Sequence, residues 1–131
     1  MDTTLKIIGH ISTQYTDRSQ CPKQAEGHGV KAELTIEPEY QDALLGIKEG
    51  HKLVLLTWLH ASDRSVLQCH PRGEKERPLT GVFYTRSPDR PNPIGLHEVK
   101  VVAIPEPGRL VVDPMEVLDG TPLVDIKKVM G

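Results

Sequence analysis

The stretch "TRSPDRPNPIGL", Thr85 to Leu96, carries three prolines and two arginines within twelve residues. Proline fixes φ and removes a backbone donor, so the stretch is expected to be neither a helix nor a central strand. A tight turn needs only about four residues. The stretch therefore reads as a long, stiff, polar connection, and what it connects decides the fold. "GVFYTR" (81–86) enters it as a strand, and "HEVKVVAI", the turn "PEPG" and "RLVVDPMEV" leave it as a hairpin spanning 97–117.

Further out, "LKIIGHIST" (5–13) predicts a first strand, broken or bulged at Gly9. "VKAELTIE" (30–37) alternates apolar and polar residues, the period of a half-buried strand. "HKLVLLTWLH" (51–60) is continuously apolar at its centre and predicts a buried strand. "PEYQDALLGIKEG" (38–50) predicts a helix, with Pro38 in its first turn and Gly46 or Gly50 at its end. "VLDGTPLVDI" places an Asp-Gly turn between apolar flanks. Six or seven strands with one or two short helices predict a mainly β fold. The expected architecture is a single-sheet, closed or nearly closed β-barrel forming one domain over residues 1–131.

The 131 residues are enough for one core. No apolar run approaches the ~18 residues of a membrane span, and the N-terminus lacks the pattern of a signal peptide, so a cytoplasmic location is expected. In that compartment Cys21 and Cys69 are expected as free thiols. Sixteen Lys and Arg against eighteen Asp and Glu exclude a globally basic nucleic-acid footprint, and no DNA partner is expected. Between Arg72 and Arg90, five basic residues face three acidic ones, which is also what a solvated loop such as "HPRGEKERP" (70–78) carries. There is no GxxxxGK[ST] and no GxGxxG. Cys21, His28, His60, Cys69 and His70 match no zinc-ligand spacing, so no metal is expected.

"GVFYTRSPDRPNPIGLHEV" resembles the signature of the TsaA/TrmO-like family of S-adenosylmethionine-dependent tRNA methyltransferases. "IGHIST" with "CPKQ", "LVLLTWLH" and "LDGTPLVDIK" resemble other family segments in the same order, so the likeness runs from about residue 7 to 127. It implies a barrel, a homodimer with a shared site, and S-adenosylmethionine as cofactor. It also implies methylation of the exocyclic nitrogen of threonylcarbamoyladenosine beside the tRNA anticodon. Carried over position by position, the cofactor-binding residues are Pro22, Lys23, Gln24, Leu59, His60, Arg86, Leu96, Asp119, Gly120, Thr121 and Pro122. Lys23 stands where the family has arginine, which keeps the charge and loses the planar fork. The sequence ends at "KKVMG", where longer members continue into a C-terminal domain implicated in tRNA contact, so a short form with weak tRNA affinity is expected.

Prolines lower the entropy lost when a loop is ordered, so the 85–96 stretch is suited to a preformed ligand wall. On composition alone a ligand-free loop closing the barrel is the favoured reading, and the resemblance reverses that preference. Arg86 offers a guanidinium for a carboxylate or phosphate, and Asn92 a donor and an acceptor for a base edge or carbamoyl group. Asp119 offers an acceptor for ribose hydroxyls, and also reads simply as a turn residue before Gly120. Methyl transfer to a carbamoylated adenine nitrogen requires loss of a proton, and the catalytic base is not identified. Asn92, His60 and Asp119 are the candidate catalytic residues, with His97 a further candidate base. Two alternatives remain at this stage: a non-catalytic S-adenosylmethionine-binding sensor, and a methyltransferase with a small-molecule acceptor.

Overall fold

The structure, a computed structural model, describes residues 1–17 and 30–131, with Arg72 described by its backbone alone. Six strands close into an antiparallel barrel: β1 (Gly9–Ser12), β2 (Val30–Ile36), β3 (Lys52–Trp58), β6 (Ile94–Glu106), β7 (Arg109–Met115) and β8 (Thr121–Lys128). Their order around the barrel is β1-β2-β7-β6-β3-β8. Two short strands, β4 (Gln68–Cys69) and β5 (Thr80–Gly81), pair outside it. The mainly β barrel read from the sequence is the fold observed.

The period of two sets the core. Ile11 of β1, Leu34 and Ile36 of β2, Leu53 and Leu55 of β3, Val99 and Val101 of β6, Leu110 and Val112 of β7 and Leu123 of β8 all face inward and are buried. The 13-residue β6 makes closure possible. Its first half pairs with β3 and its second half with β7, and bulges beyond Val101 bend it from one partner to the other.

Five expectations are corrected. "GVFYTR" is not a strand: after Gly81 the chain turns through a 3-10 segment, Val82–Tyr84. Only Val82 is buried, whereas Phe83 and Tyr84 are exposed by 83% and 91%, so no neighbouring strand covers them. The proline-rich stretch does enter the sheet, because β6 begins at Ile94, directly after Pro93, the last proline of the stretch. The expected helix over 38–50 is a 3-10 segment, Pro38–Leu44, which packs Tyr40 and Leu44 against the core but buries no residue fully. The apolar centre of β3 is buried on one face only, since Val54, Leu56 and Trp58 point outward and are half-exposed. The first strand is also shorter than expected and starts at Gly9. Among the described residues no helix is long and apolar enough to cross a membrane.

Because Leu55 is fully buried, Leu55→Ala should lose about 2–5 kcal/mol in urea unfolding. Tyr84→Ala should stay within about 0.5 kcal/mol of the unaltered protein.

Candidate functional site

Strand direction places at one end of the barrel the end of β1 and the start of β2, together with two connections: 59–93 between β3 and β6, and 116–120 between β7 and β8. Every described cofactor-binding candidate lies in these connections or at the strand ends beside them. Pro22, Lys23 and Gln24 lie outside the described residues, as do Cys21 and His28. The other end carries the tight Pro107–Gly108 turn and the 3-10 segment. A cleft of about 410 Å³ there, lined by Leu44, Ile47, Ile104 and Leu110 among others, contains none of the candidates.

The β7–β8 connection is tied to β1 and the residues that follow it. Asp119 donates its backbone N–H to the Tyr15 carbonyl (2.7 Å), and Gly120 donates to the Ile11 carbonyl (2.8 Å). Asp119 Oδ1 accepts from the Thr13 N–H (3.1 Å), while the Thr13 hydroxyl donates to the Val117 carbonyl (2.8 Å). Gly120 has φ +83°, a conformation that L side chains rarely adopt, so the Asp-Gly pair forms the expected turn. Thr121 is buried, and its hydroxyl donates to the Leu118 carbonyl (2.7 Å). One oxygen of Asp119 is thus engaged in holding the turn.

The 59–93 connection is closed at its base by Leu59 N–H donating to the Pro93 carbonyl (2.8 Å). The two arginines of the proline-rich stretch have different tasks. Arg90 holds the loop from within: Nε donates to the Ser87 carbonyl (2.7 Å) and Nη2 to the carbonyls of Val82 (2.7 Å) and Thr85 (2.6 Å). Arg86 is exposed and makes no hydrogen bond or ion pair among the described residues. His60 and Asn92 are also exposed at this end.

Leu96 and Pro122 lie on the outer face of the barrel, on β6 and β8, which flank β3. Cross-strand pairing sets Leu96 beside Leu56 and Ile94 beside Trp58. The result is a half-exposed apolar strip on the outside of the barrel next to the loops. Ile94 is 42% and Leu96 45% exposed.

His97 faces the opposite way, into the barrel, one residue from Leu96. Its Nε2 lies 2.9 Å from Oγ1 of the buried Thr57. Burial pushes its pKa down from 6.5 to about 4, so it is neutral near pH 7. This interior pair explains the glycine of "NPIGL". A Cβ at Gly95 would strike Thr57 Oγ1 and stand 2.7 Å from His97 Nε2. Sequence reading named His97 only as a candidate base and gave Thr57, Gly95, Arg64 and Arg90 no role. Neither side-chain pairing across strands nor a loop arginine's partners leave a local signal in sequence. Cys69 is a half-buried free thiol on β4, and no three His, Cys, Asp or Glu side chains among the described residues could hold a metal ion.

This geometry defines a barrel protein whose described candidate residues converge on the loops of one end. Residues 10–130 match the family model described as the tRNA-methyltransferase O N-terminal domain, and the chain belongs to that family. It is 39% identical over 124 residues to the "S-adenosyl-L-methionine-binding protein" of Archaeoglobus fulgidus, covering 95% of this chain and 87% of the relative. A Methanothermobacter thermautotrophicus protein named "Probable S-adenosyl-L-methionine-binding protein" is 37% identical over 127 residues, covering 97% of this chain and 90% of the relative. A crystal structure of TrmO from Pseudomonas aeruginosa superposes with TM-score 0.74 at 28% identity, covering 99% of this chain and 57% of TrmO.

Two outcomes are expected from the interior pair. Gly95→Ala should lose about 1–3 kcal/mol through overpacking, read by urea unfolding at pH 7. The folded pKa of His97 lies below its unfolded value, so the unfolded chain takes up the proton first as pH falls. Its contribution is complete above about pH 6.5 and is lost toward pH 4, by about 3 kcal/mol in all. His97→Gln should flatten that part of the stability–pH profile.

Proposed function

We propose that this chain binds S-adenosylmethionine at the loop end of the barrel and transfers its methyl group to tRNA, at the exocyclic nitrogen of threonylcarbamoyladenosine beside the anticodon. The observation that carries this reading is the convergence of Leu59, His60, Arg86, Leu96 and Asp119–Pro122 at one end, with Arg86 unpaired among the described residues. The residue types fit the cofactor. Arg86 suits its carboxylate, the exposed Leu96 and neighbouring Leu59 suit apolar contact, and the Asp119 carboxylate suits ribose hydroxyls. When bound, the cofactor supplies an electrophilic methyl group on a sulfonium. The protein's share is to align the acceptor nitrogen in line with it and to exclude competing orientations. The reading draws on the names of the relatives and on the domain family, and the tRNA substrate draws on the family alone.

Partners follow from exposed surface. Besides the apolar strip of Ile94, Leu96, Leu56 and Trp58, the 59–93 connection exposes Leu67, Leu79, Phe83 and Tyr84. A second copy of the chain would cover such surface, and a two-fold dimer would add a wall to a site that opens on the outside of the barrel. In the loop over 70–78, Lys75 is exposed, whereas Arg77 donates through Nε to Glu74 Oε2 at 2.5 Å. Arg77 would have to leave that partner to meet a phosphate, consistent with weak tRNA affinity. A second reading, a binding protein without catalysis, is favoured by the geometry of two of the candidate bases. His97 points into the barrel, and Asp119 Oδ1 is occupied by Thr13.

Isothermal titration with S-adenosylhomocysteine should show binding, weakened by about 10- to 100-fold in Arg86→Ala and not restored in Arg86→Lys. Labelled methyl groups should enter threonylcarbamoylated tRNA and not tRNA lacking that modification. Binding without any transfer would favour the second reading, and no binding at millimolar concentration would end both.

A further inference from the structure

Arg64 sits in the 59–65 turn and reaches from it to the far limb of the 59–93 connection. Its guanidinium carbon lies over the Trp58 ring, 5.1 Å from the centroid, a cation–π contact. The same group donates through Nε to the Pro91 carbonyl at 2.7 Å and through Nη2 to Asn92 Oδ1 at 3.2 Å. The turn itself is preformed. Asp63 Oδ1 accepts from the Ser65 N–H (2.8 Å) and hydroxyl (2.6 Å), and the Asp63 N–H donates to Asp89 Oδ1 (2.8 Å). A strand-end tryptophan, the 59–65 turn and the "DRPN" segment are therefore joined through one planar cation.

The chemistry of arginine fixes more than position. A guanidinium carries only donors, so the oxygen of the Asn92 amide must face it. That leaves the Nδ2 amino group as the end of Asn92 available at the exposed loop surface. We infer that Arg64 is a positioning residue that sets Asn92 as a hydrogen-bond donor, so that this edge of the site selects ligands presenting an acceptor oxygen or ring nitrogen. The inference rests on the proposed cofactor-binding reading and assigns part of its selectivity to a residue that touches no ligand. Lysine cannot replace Arg64, because a point charge has neither the flat face for Trp58 nor two donors held in one plane.

Asn92→Asp separates this role from a merely structural one. The aspartate is isosteric and keeps an oxygen for Arg64, so the fold should hold and the melting temperature should not fall. The outward donor, however, becomes an acceptor, and affinity for S-adenosylhomocysteine or the rate of methyl transfer should fall at least tenfold. Arg64→Gln should reduce the same quantity without restoration by Arg64→Lys, and it should add nothing in an Asn92→Ala background. If the unaltered protein binds and Asn92→Asp and Arg64→Gln match it in affinity and rate, the positioning role is overturned and the cofactor reading stands. If the unaltered protein does not bind S-adenosylhomocysteine at all, the cofactor reading falls and takes the purpose of the clamp with it.

Discussion

The pairing of β3 with β6 is the constraint on which the candidate site depends. It runs in unbroken register from Lys52↔Lys100 to Trp58↔Ile94, then continues beyond the sheet as the Leu59–Pro93 hydrogen bond. That register brings the two ends of the long 59–93 connection together. It also sets Thr57 opposite Gly95 on the inside and Leu56 opposite Leu96 on the outside. A slip of one residue would exchange the faces, placing Leu96 in the core and His97 outside. The interior fit of Thr57, His97 and Gly95 opposes that slip, so a buried polar contact helps fix which residues the outer surface shows.

Three arginines near the same loops illustrate how partners decide a cation's role. Arg90 meets backbone carbonyls and is absorbed by the loop; Arg64 meets an indole face, a carbonyl and an amide, and links two segments; Arg86 meets none among the described residues. The prolines act in the same direction as Arg90 and Arg64. With fewer backbone conformations to lose, the loop is held in shape before a ligand arrives, which lowers the ordering cost of binding.

Much of this architecture was legible in the residues. Alternation in 30–37, the Asp119–Gly120 turn and the hairpin after His97 are local patterns, and each appears in place. The misreadings share one physical origin. "GVFYTR" has the composition of a strand, but a strand requires a partner, and Phe83 and Tyr84 have open surface instead. The 38–50 segment has helix-compatible ends but forms only a 3-10 turn against the barrel, because tertiary packing overrides a short segment's propensity. The candidate cofactor residues came from the resemblance, and the described ones lie at a single end of the barrel. Arg64 and Gly95 could not be recognised locally, because their roles exist only through contacts brought about by the β3–β6 register.

The central claim is that one end of the barrel forms one ligand site. Amide chemical-shift mapping during titration with S-adenosylhomocysteine tests it most directly. The account predicts shifts at Leu59, His60, Arg86, Leu96 and Asp119–Thr121, with none at the Pro107–Gly108 turn. Shifts centred on that turn and the 410 Å³ cleft beside it, with the loop end silent, would contradict it.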